Sequence, residues 1–221
     1  MRLSKEIELR IGSSEDLARY VLYQLRIFMP ADQDEGFETI NRYLPGTLKR
    51  MAPILACAKH FQPGIFDHLN SQQYAMFLYL LANEIWTNDE SSWVVCEKLF
   101  FLNRIFSGMD LYYKINMPEI FLIEHGGGSV LVNTHYGNKF VFFQSVTVGR
   151  LGDACPVIGE GVILFPNTVV TGESIIGDYS VISAGTIVNN KIIPPDSVVF
   201  SNGSDIVIKD RKKDYLSYYF R

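Results

Sequence analysis

Two different spacings of hydrophobic residues divide the chain near residue 108. Before Gly108, apolar residues recur at helical spacing in segments separated by Pro, Gly or Asn-Asp. The predicted helices cover 14–29, 34–43, 48–60, 71–86 and 91–106. Ser71 is the expected N-cap of the fourth helix, and Gly108 ends the last one. The first part of the chain is therefore predicted to be all-helical.

Beyond Asp110 the apolar spacing changes to six residues. An aliphatic residue occupies every sixth position in the series Ile158, Leu164, Val170, Ile176, Ile182, Val188. The residues four places after each of these are mostly small or β-branched: Val162, Thr168, Ser174, Ser180, Thr186 and Ile192. A helix repeats every 3.6 residues and a strand every two, so neither produces this period. A β-solenoid does, with the aliphatic side chains pointing inward and about 18 residues forming one triangular coil.

The same register continues toward the N-terminus. Two further series have this spacing: Tyr136, Phe142 and Val148, and Leu111, Met117 and Ile123. The phase shifts at the triple glycine 126–128 and again at 150–157, which we expect to be a loop that projects from the solenoid. The resulting domain limits are a helical cap over 1–108, a β-helix over 109–205 and a C-terminal tail over 206–221.

Composition and charge exclude several classes of function. The chain has 221 residues and a formal net charge of −4, so it lacks the basic surplus of a general nucleic-acid binder. Cys57, Cys96 and Cys155 have neither metal-finger nor disulfide spacing. The N-terminus lacks the apolar core of a signal peptide, and the apolar run 76–82 is too short to span a bilayer. We expect a cytoplasmic protein without a metal.

The candidate chemistry centres on His125. It follows Glu124, precedes the triple glycine and falls at a predicted corner of the solenoid rather than at an inward position. An imidazole is the usual general base for a hydroxyl near neutral pH, and it works best when a carboxylate holds its second nitrogen. Asp110 opens the first coil, slightly less than one coil before His125, so stacking of the coils can bring the two together.

Several segments of the solenoid resemble the catalytic domain of serine acetyltransferases, which are hexapeptide-repeat enzymes. These are MDLYYKINMPEIFLIEHGGGSVLV, NKFVFFQSVTVG and CPVIGEGVILFPNTVVTGESIIGDYSVISAGTIV. Asp110 matches the aspartate that opens the family's first coil, and Glu124-His125 matches its acidic-histidine pair fifteen residues later. The stretches 144–149 and 183–186 match the family's QSVTLG-like strand and its late GAGSVV-like hexad.

The resemblance implies an α+β fold, with an N-terminal all-helical domain followed by a left-handed parallel β-helix of hexapeptide repeats. It implies transfer of an acetyl group from acetyl-CoA to a small acceptor with a hydroxyl or an amine. His125 would take the proton from the acceptor, while Asp110 and Glu124 would orient the imidazole. It also implies a homotrimer or a dimer of trimers, with the site between neighbouring solenoids.

Positions for CoA follow from the same resemblance. The expected contacts are Gly149, Arg150, Pro166, Ala184 and Gly185, with Lys209 or Arg211 near the phosphates. Pro166 departs from the family pattern, in which a small alanine is usual. Because proline has no N–H, this departure removes one backbone donor from the expected CoA contacts.

The acceptor-binding loop also departs from the family. The Arg-His pair by which the family grips the acceptor carboxylate is replaced by Ala154-Cys155, in a shorter loop. A methyl group and a thiol do not replace two cationic donors. The acceptor therefore remains open between serine or another amino acid and a sugar or carrier-linked glycan precursor. A nucleophilic role for Cys155 is disfavoured, because a lone thiol without a partner is usually inert.

Two alternatives use the same solenoid differently. A γ-class carbonic anhydrase needs three histidines on zinc, but the solenoid sequence contains only His125 and His135. A non-enzymatic trimeric scaffold is the second alternative. The altered Ala154-Cys155 loop favours the scaffold, whereas the presence of Asp110 and His125 favours the enzyme.

Overall fold

The computed structural model describes residues 7–30, 35–203 and 205–221. The chain divides into two compact units, Met1–Ser107 and Gly108–Arg221. The first is helical and the second is a β-solenoid, so the predicted fold class is confirmed. None of the helices within the described residues is both long and apolar enough to cross a bilayer.

Four α-helices account for most of what is described of the first unit. They are α1 (Ser14–Phe28), α2 (Glu35–Cys57), α3 (Ser71–Asn88) and α4 (Trp93–Ser107), with short parallel strands β1 (Glu8–Leu9) and β2 (Ile65–Phe66) and a 3₁₀ turn at Glu90–Ser92. A reciprocal capping box between Ser13 and Asp16 begins α1. The third helix, α3, is buried along most of its length and forms the centre of this unit.

Two details of the helical prediction were wrong. Residues 35–43 and 48–57 of the two predicted helices belong to one helix, α2, which contains two prolines; residue 34 lies outside the described residues. Gly46 lies inside α2, where a Cβ would come within 2.3 Å of Glu84 Oε1. This glycine therefore allows close packing against α3 instead of ending a helix. The N-cap of α3 is Asn70 rather than Ser71, because Asn70 Oδ1 accepts from the backbone N–H groups of Gln72 and Gln73 at 3.1 Å.

The second unit stacks short strands into a triangular prism. Its strands are β3 (Asp110–Leu111), β4 (Phe121–Glu124), β5 (Val130–Leu131), β6 (Phe140–Phe143), β7 (Thr147–Gly149), β8 (Val157–Ile158), β9 (Ile163–Leu164), β10 (Val169–Thr171), β11 (Ile175–Ile176), β12 (Val181–Ile182), β13 (Ile187–Asn189), β14 (Ile192–Ile193), β15 (Ser197–Asn202) and β16 (Asp205–Asp210). The first face is β3-β5-β7-β10-β13, and the second is β4-β6-β9-β12-β15 with antiparallel β16 at its end. The third face is β8-β11-β14.

The interior of the prism contains the residues that the six-residue period predicted. The buried inward series comprises Leu111, Met117, Ile123, Tyr136, Phe142, Val148, Ile158, Leu164, Val170, Ile176, Ile182 and Val188. Ile192 breaks the pattern: the period places it beside a corner, but it is a strand residue that is 71% exposed, and Ile193 is the inward residue at 1% exposed. Strand β10 pairs residue 169 with 187, whereas β11 pairs 175 with 192, so the last coil is one residue shorter at the turn after Val188. That missing residue shifts the phase.

Small hydroxylated residues fill the positions beside the corners. Thr168, Ser174 and Ser180 are fully buried. Their hydroxyls donate to backbone carbonyls, at 2.7 Å from Ser174 Oγ to the Thr171 oxygen and 2.9 Å from Ser180 Oγ to the Pro194 oxygen. Each hydroxyl therefore satisfies a backbone acceptor where the chain turns and the ladder is interrupted.

Both predicted interruptions of the repeat are present. Glu124 pairs with Phe143 and Val130 with Thr147, so six residues separate the paired positions in one coil and four in the next. The glycine segment therefore inserts two residues at this corner. The loop after β7 lengthens its coil, because residue 147 pairs with 169, 22 positions later, compared with 18 from 169 to 187. An antiparallel bridge between Leu151 and Ala154 closes this loop.

The C-terminal strap, residues 211–221, runs along the outside of the second face. Arg211 donates to Asp196 Oδ1 at 2.6 Å beside the last coil. Leu216 Cδ1 lies 2.8 Å from where a Cβ on Gly161 would be. The Tyr219 ring meets Phe143, with centroids 6.0 Å apart, in the second coil. The strap therefore runs back from the last coils toward the first.

Outward residues on the three faces differ in exposure. On the third face, Val157 and Ile175 are 39% and 44% exposed. On the second face, the outward residues Val141, Ile163 and Val181 are at most 2% exposed. The strap contacts the second face at Gly161 and Phe143 and thus contributes to this difference.

Candidate active site

His125 stands on the two-residue insertion at the corner between the second and first faces. Gly128 donates its N–H to the Gly108 oxygen at 2.9 Å, and Ser145 donates to the Gly127 oxygen at 2.9 Å. Gly127 and Gly128 therefore continue the regular column of corner residues, and His125 and Gly126 are the inserted pair. His125 is exposed and has a φ of 58°. The imidazole is consequently displayed at a protruding corner.

The glycines make this insertion possible. A Cβ on Gly126 would lie 2.4 Å from Ile123 Cγ2 and 3.3 Å from Met109 Sδ, so the inserted loop can close only over a bare backbone. Gly128 has a φ of 76°, in the left-handed region that favours glycine. Gly126, the residue after His125, therefore packs closely against Ile123 and Met109.

Asp110 begins the first face beside the same corner, one coil earlier. Its N–H donates to the Ser129 oxygen at 2.8 Å, and it pairs with Val130 across β3 and β5. Leu111 points into the prism, so the half-buried Asp110 points outward by strand alternation. The register therefore brings Asp110 and His125 to one edge of the prism, in its first two coils.

Glu124 faces a different side from Asp110. It ends β4, pairs with Phe143 and is only 8% exposed. Because Ile123 points inward, the Glu124 side chain points out onto the second face, toward the strap. Burial and the negative charge of Glu124 raise the pKa of Tyr219 to about 12.

Three of the predicted CoA positions lie along the His125 edge. Asn167 donates its N–H to the Gln144 oxygen at 3.1 Å, and Gly185 donates to the Pro166 oxygen at 2.9 Å. Pro166, Ala184 and Gly185 therefore occupy the same corner column as Gln144, in later coils. A Cβ on Gly185 would meet nothing within 4 Å, so this end of the column is open.

The remaining residues near the loop lie at another edge. Gly149 ends β7 at the far side of the first face, where Arg150 begins the projecting loop. Arg150 Nη2 and Cys155 Sγ lie 3.5 Å and 3.6 Å from the Asn133 oxygen. Ala154 closes the loop by its bridge to Leu151. Within one chain, this group is at the corner between the first and third faces, away from His125.

The two basic residues predicted for the CoA phosphates lie near the end of the prism. Lys209 is exposed on β16, and its Nζ is 5.2 Å from the centre of the Phe200 ring. Arg211 is committed to ion pairs, at 2.6 Å with Asp196 and 4.0 Å with Asp214. Among the described residues, no group of three or more His, Cys, Asp or Glu side chains could hold a metal ion.

Sequence reasoning missed two features near this corner, the strap and Gln144. Tyr219 of the strap contacts Phe143, and Phe143 stacks on Phe165 with ring centroids 5.1 Å apart. Gln144 was recognised only as part of a motif, yet its Oε1 is buried at the His125 corner without a hydrogen-bond partner in the part of the chain that the structure describes. The only sequence signal for the strap was the concentration of aromatic residues from Tyr215 to Phe220.

No family model matches the chain, but comparison with known proteins finds relatives that are similar to it in sequence. Serine acetyltransferase 2 of Arabidopsis thaliana is 29% identical over 139 residues, which cover 61% of this chain and 42% of the relative. Serine acetyltransferase of Bacillus subtilis is 28% identical over 141 residues, covering 58% of this chain and 64% of the relative. The similarity thus spans less than two thirds of either relative.

Solved structures share the fold across nearly the whole chain. A serine acetyltransferase in complex with CoA aligns with a TM-score of 0.69 and 19% identity, covering 88% of this chain and 84% of that one. The Neisseria gonorrhoeae serine acetyltransferase aligns with a TM-score of 0.68 and 18% identity, covering 93% and 82%. The resemblance is thus confirmed: the chain is similar in sequence to serine acetyltransferases and shares their fold of helices followed by a hexapeptide-repeat, left-handed β-helix.

Proposed function

We propose that this protein is an acetyl-CoA-dependent acetyltransferase that modifies a small acceptor carrying a hydroxyl or an amine. The observation that carries the proposal is the position of His125. A glycine-dependent insertion displays its imidazole at the corner where Asp110 begins the first face. The two sequence relatives described above, both serine acetyltransferases, add support from an independent direction.

The chemistry that follows is a direct transfer. An imidazole nitrogen of His125 takes the acceptor proton as the acceptor oxygen bonds to the thioester carbonyl carbon, and the carbonyl π electrons move onto its oxygen. Backbone N–H groups at a coil corner stabilise that oxyanion. The intermediate then reforms the carbonyl and breaks the C–S bond, and the imidazolium returns the proton to the departing thiolate. The products are an acetyl ester and CoA.

Asp110 supports this cycle by orienting the base. A carboxylate on the second imidazole nitrogen fixes the tautomer and stabilises the imidazolium that forms during attack. Asp110 lies at the same edge as His125 and points outward, which suits that role. Glu124 lies on the adjoining face, so we assign it a supporting position behind the imidazole.

The distribution of the CoA positions favours a site shared between copies. Pro166, Ala184 and Gly185 lie at one edge of the first face, whereas Gly149 and Arg150 lie at the other. A CoA molecule that contacts both sets is best accommodated where one edge of a copy meets the other edge of its neighbour. This arrangement supports a homotrimer, or a dimer of trimers.

The acceptor class is narrowed by the projecting loop. Ala154 and Cys155 offer no positive charge, and Asp153 beside them is acidic, so Arg150, which meets the same Asn133 oxygen as Cys155, is the cation of this loop. Because Ala154-Cys155 does not replace the family's Arg-His pair, a sugar or amino-sugar acetyltransferase is a second candidate beside a serine-like O-acetyltransferase.

An acceptor screen tests the proposal. The purified chain with acetyl-CoA is given L-serine, other hydroxy and amino compounds, sugars and amino sugars, and release of the CoA thiol is measured. We expect acceptor-dependent release that His125→Ala abolishes and His135→Ala retains, since His135 is another exposed histidine of the solenoid. Absence of release with every acceptor, together with no CoA binding, would favour the scaffold.

A further inference from the structure

Gln144 stands in the corner column that leads from His125 to the expected CoA positions. Backbone hydrogen bonds between successive coils define this column, whose members are Gly127, Gln144, Pro166 and Ala184. Of these four residues, only Gln144 has a polar side chain. Gln144 lies in the coil directly after the His125 insertion and directly before the coil of Pro166.

The side-chain amide of Gln144 has no part in holding the fold together. Within the residues that the structure describes, Oε1 is buried without a donor and Nε2 forms no hydrogen bond either. The Nε2 group is not buried, so its two N–H bonds can reach a ligand. A buried carbonyl oxygen without a donor costs free energy, so stability does not explain an amide at this corner.

The place of Gln144 in the column indicates which ligand the amide meets. Neighbouring strands lie about 4.8 Å apart, so Pro166 and Ala184 are one and two such steps away from Gln144. A CoA molecule that contacts those two coils and presents its thioester at His125 lays the thiol end of its pantetheine arm past Gln144. This arm contains two amides, whose carbonyl oxygens accept hydrogen bonds.

The adjoining coil cannot supply a donor of its own at this position. Pro166 has no N–H, so the column offers the arm no backbone donor at that step. The exposed Nε2 of Gln144, one coil nearer to His125, provides two N–H donors beside the gap.

We propose that Gln144 Nε2 donates a hydrogen bond to a carbonyl oxygen of the pantetheine arm and thereby replaces the backbone donor that Pro166 lacks. The inference rests on the acetyltransferase function proposed above, and it adds a side-chain contact to the CoA site. Because the arm's amides do not react, the contact is equally strong before and during transfer. It therefore contributes to CoA affinity and not to kcat.

Calorimetry with two ligands tests the contact. Gln144→Leu removes the amide and keeps most of the volume, and we expect its CoA affinity to fall about 2- to 10-fold, the usual effect of one neutral hydrogen bond. Adenosine 3′-phosphate 5′-diphosphate is the control ligand, since it is the nucleotide of CoA without the arm, and its affinity should stay unchanged. The melting temperature should not fall, because the lost carbonyl had no donor.

A second substitution tests whether Gln144 replaces the missing backbone donor. Pro166→Ala restores an N–H in the next coil, so it should bind CoA more tightly than the original chain. Gln144→Leu should then cost less affinity in the Pro166→Ala background than in the original chain. An equal cost in both backgrounds would overturn the replacement.

Two results distinguish a failure of this contact from a failure of the proposed function. If the original chain binds CoA and Gln144→Leu binds it equally well, or if Gln144→Leu also loses affinity for the armless nucleotide, the contact with the arm is wrong while the acetyltransferase proposal stands. If the original chain binds no CoA at millimolar concentration, the proposed function is wrong and the contact falls with it.

Discussion

Replacement of His125 separates a catalytic from a structural role better than any other change. The side chain is exposed, so truncating it opens no cavity and removes little buried surface. Its backbone, however, has a φ of 58°. Alanine is less tolerant of that conformation, which costs L-residues about 1 kcal/mol or slightly more. Asparagine accepts it readily, so His125→Asn removes the imidazole and keeps the corner.

The expected magnitudes differ strongly between the two roles. A positioned general base contributes about 10²- to 10⁴-fold to the rate, or about 2.7 to 5.4 kcal/mol of the activation free energy. An exposed residue away from special features contributes at most about 0.5 kcal/mol to folding. We therefore expect both His125→Ala and His125→Asn to lose two to four orders of magnitude in kcat, and the asparagine variant to unfold almost as the original chain does.

The assay measures three quantities on one preparation of each variant: turnover with the best acceptor, melting temperature and CoA affinity. CoA affinity should hardly change, because the imidazole serves the acceptor. If His125 were only a turn residue, His125→Asn would keep its turnover, and any loss in the alanine variant would follow its melting temperature. Near-normal turnover in His125→Asn would refute the proposed mechanism.

The other predictions concern Asp110, the oligomeric state, acetyl-CoA binding and the strap. Asp110→Asn should lower kcat less than His125→Ala at unchanged CoA affinity, which steady-state kinetics and calorimetry would measure together. Sedimentation should show a trimer or hexamer, and a dilute monomer would contradict the shared site. Calorimetry should detect acetyl-CoA binding in the micromolar-to-millimolar range usual for enzyme substrates; no heat at millimolar ligand would favour the scaffold. Because folding raises the pKa of Tyr219 from 10.0 to about 12, its neutral phenol stabilises the fold fully below pH 10, and this contribution is lost as the pH rises toward 12. Denaturant unfolding between pH 9 and 12 should therefore show a loss in the original chain that Tyr219→Phe lacks.

The six-residue period predicted the solenoid well because each coil repeats the same constraint. An inward side chain stacks on its equivalents in neighbouring coils, so a polar residue there would be buried without water. The prediction failed at Ile192 for a geometric reason. The six-residue period placed Ile192 beside a corner, but the turn before it is shorter by one residue, so Ile192 becomes an outward strand residue and Ile193 the inward one. Only the pairing of β11 with β14 decides between them.

In the helical unit, by contrast, a local sequence pattern was misleading. Pro45-Gly46 has the composition of a turn, yet it lies within α2. The reason is tertiary: Gly46 provides room for Glu84 of α3, and Arg50 pairs with Glu84 at 3.1 Å one turn later. Contacts of this kind join residues far apart in sequence, so a local pattern cannot report them.

For the candidate site, the sequence predicted that His125 lies at a corner of the solenoid, but it did not predict which of the expected CoA positions lie at that corner. His125 and Asp110 could be assigned to one edge because the coil length relates them. The group around Arg150 could not, because its place depends on how many residues the projecting loop adds to its coil. Once the register is known, the predicted CoA positions fall at two edges of the first face. This placement gives a second reason, besides the family resemblance, to expect a trimer, since a trimer is the simplest assembly that would join the two sets.

The strap is the part of the fold that sequence alone could least predict. Its residues form no repeat, and the sequence indicated only a C-terminal tail. The evidence for its position lies elsewhere, in the second face: Val141 and Ile163 are outward aliphatic residues that would be exposed in a bare solenoid, as Val157 and Ile175 are on the third face. In the row of Val141 and Ile163, Leu122 of the first coil is buried as well. Apolar outward residues that are buried on one face of a solenoid thus indicate a covering segment.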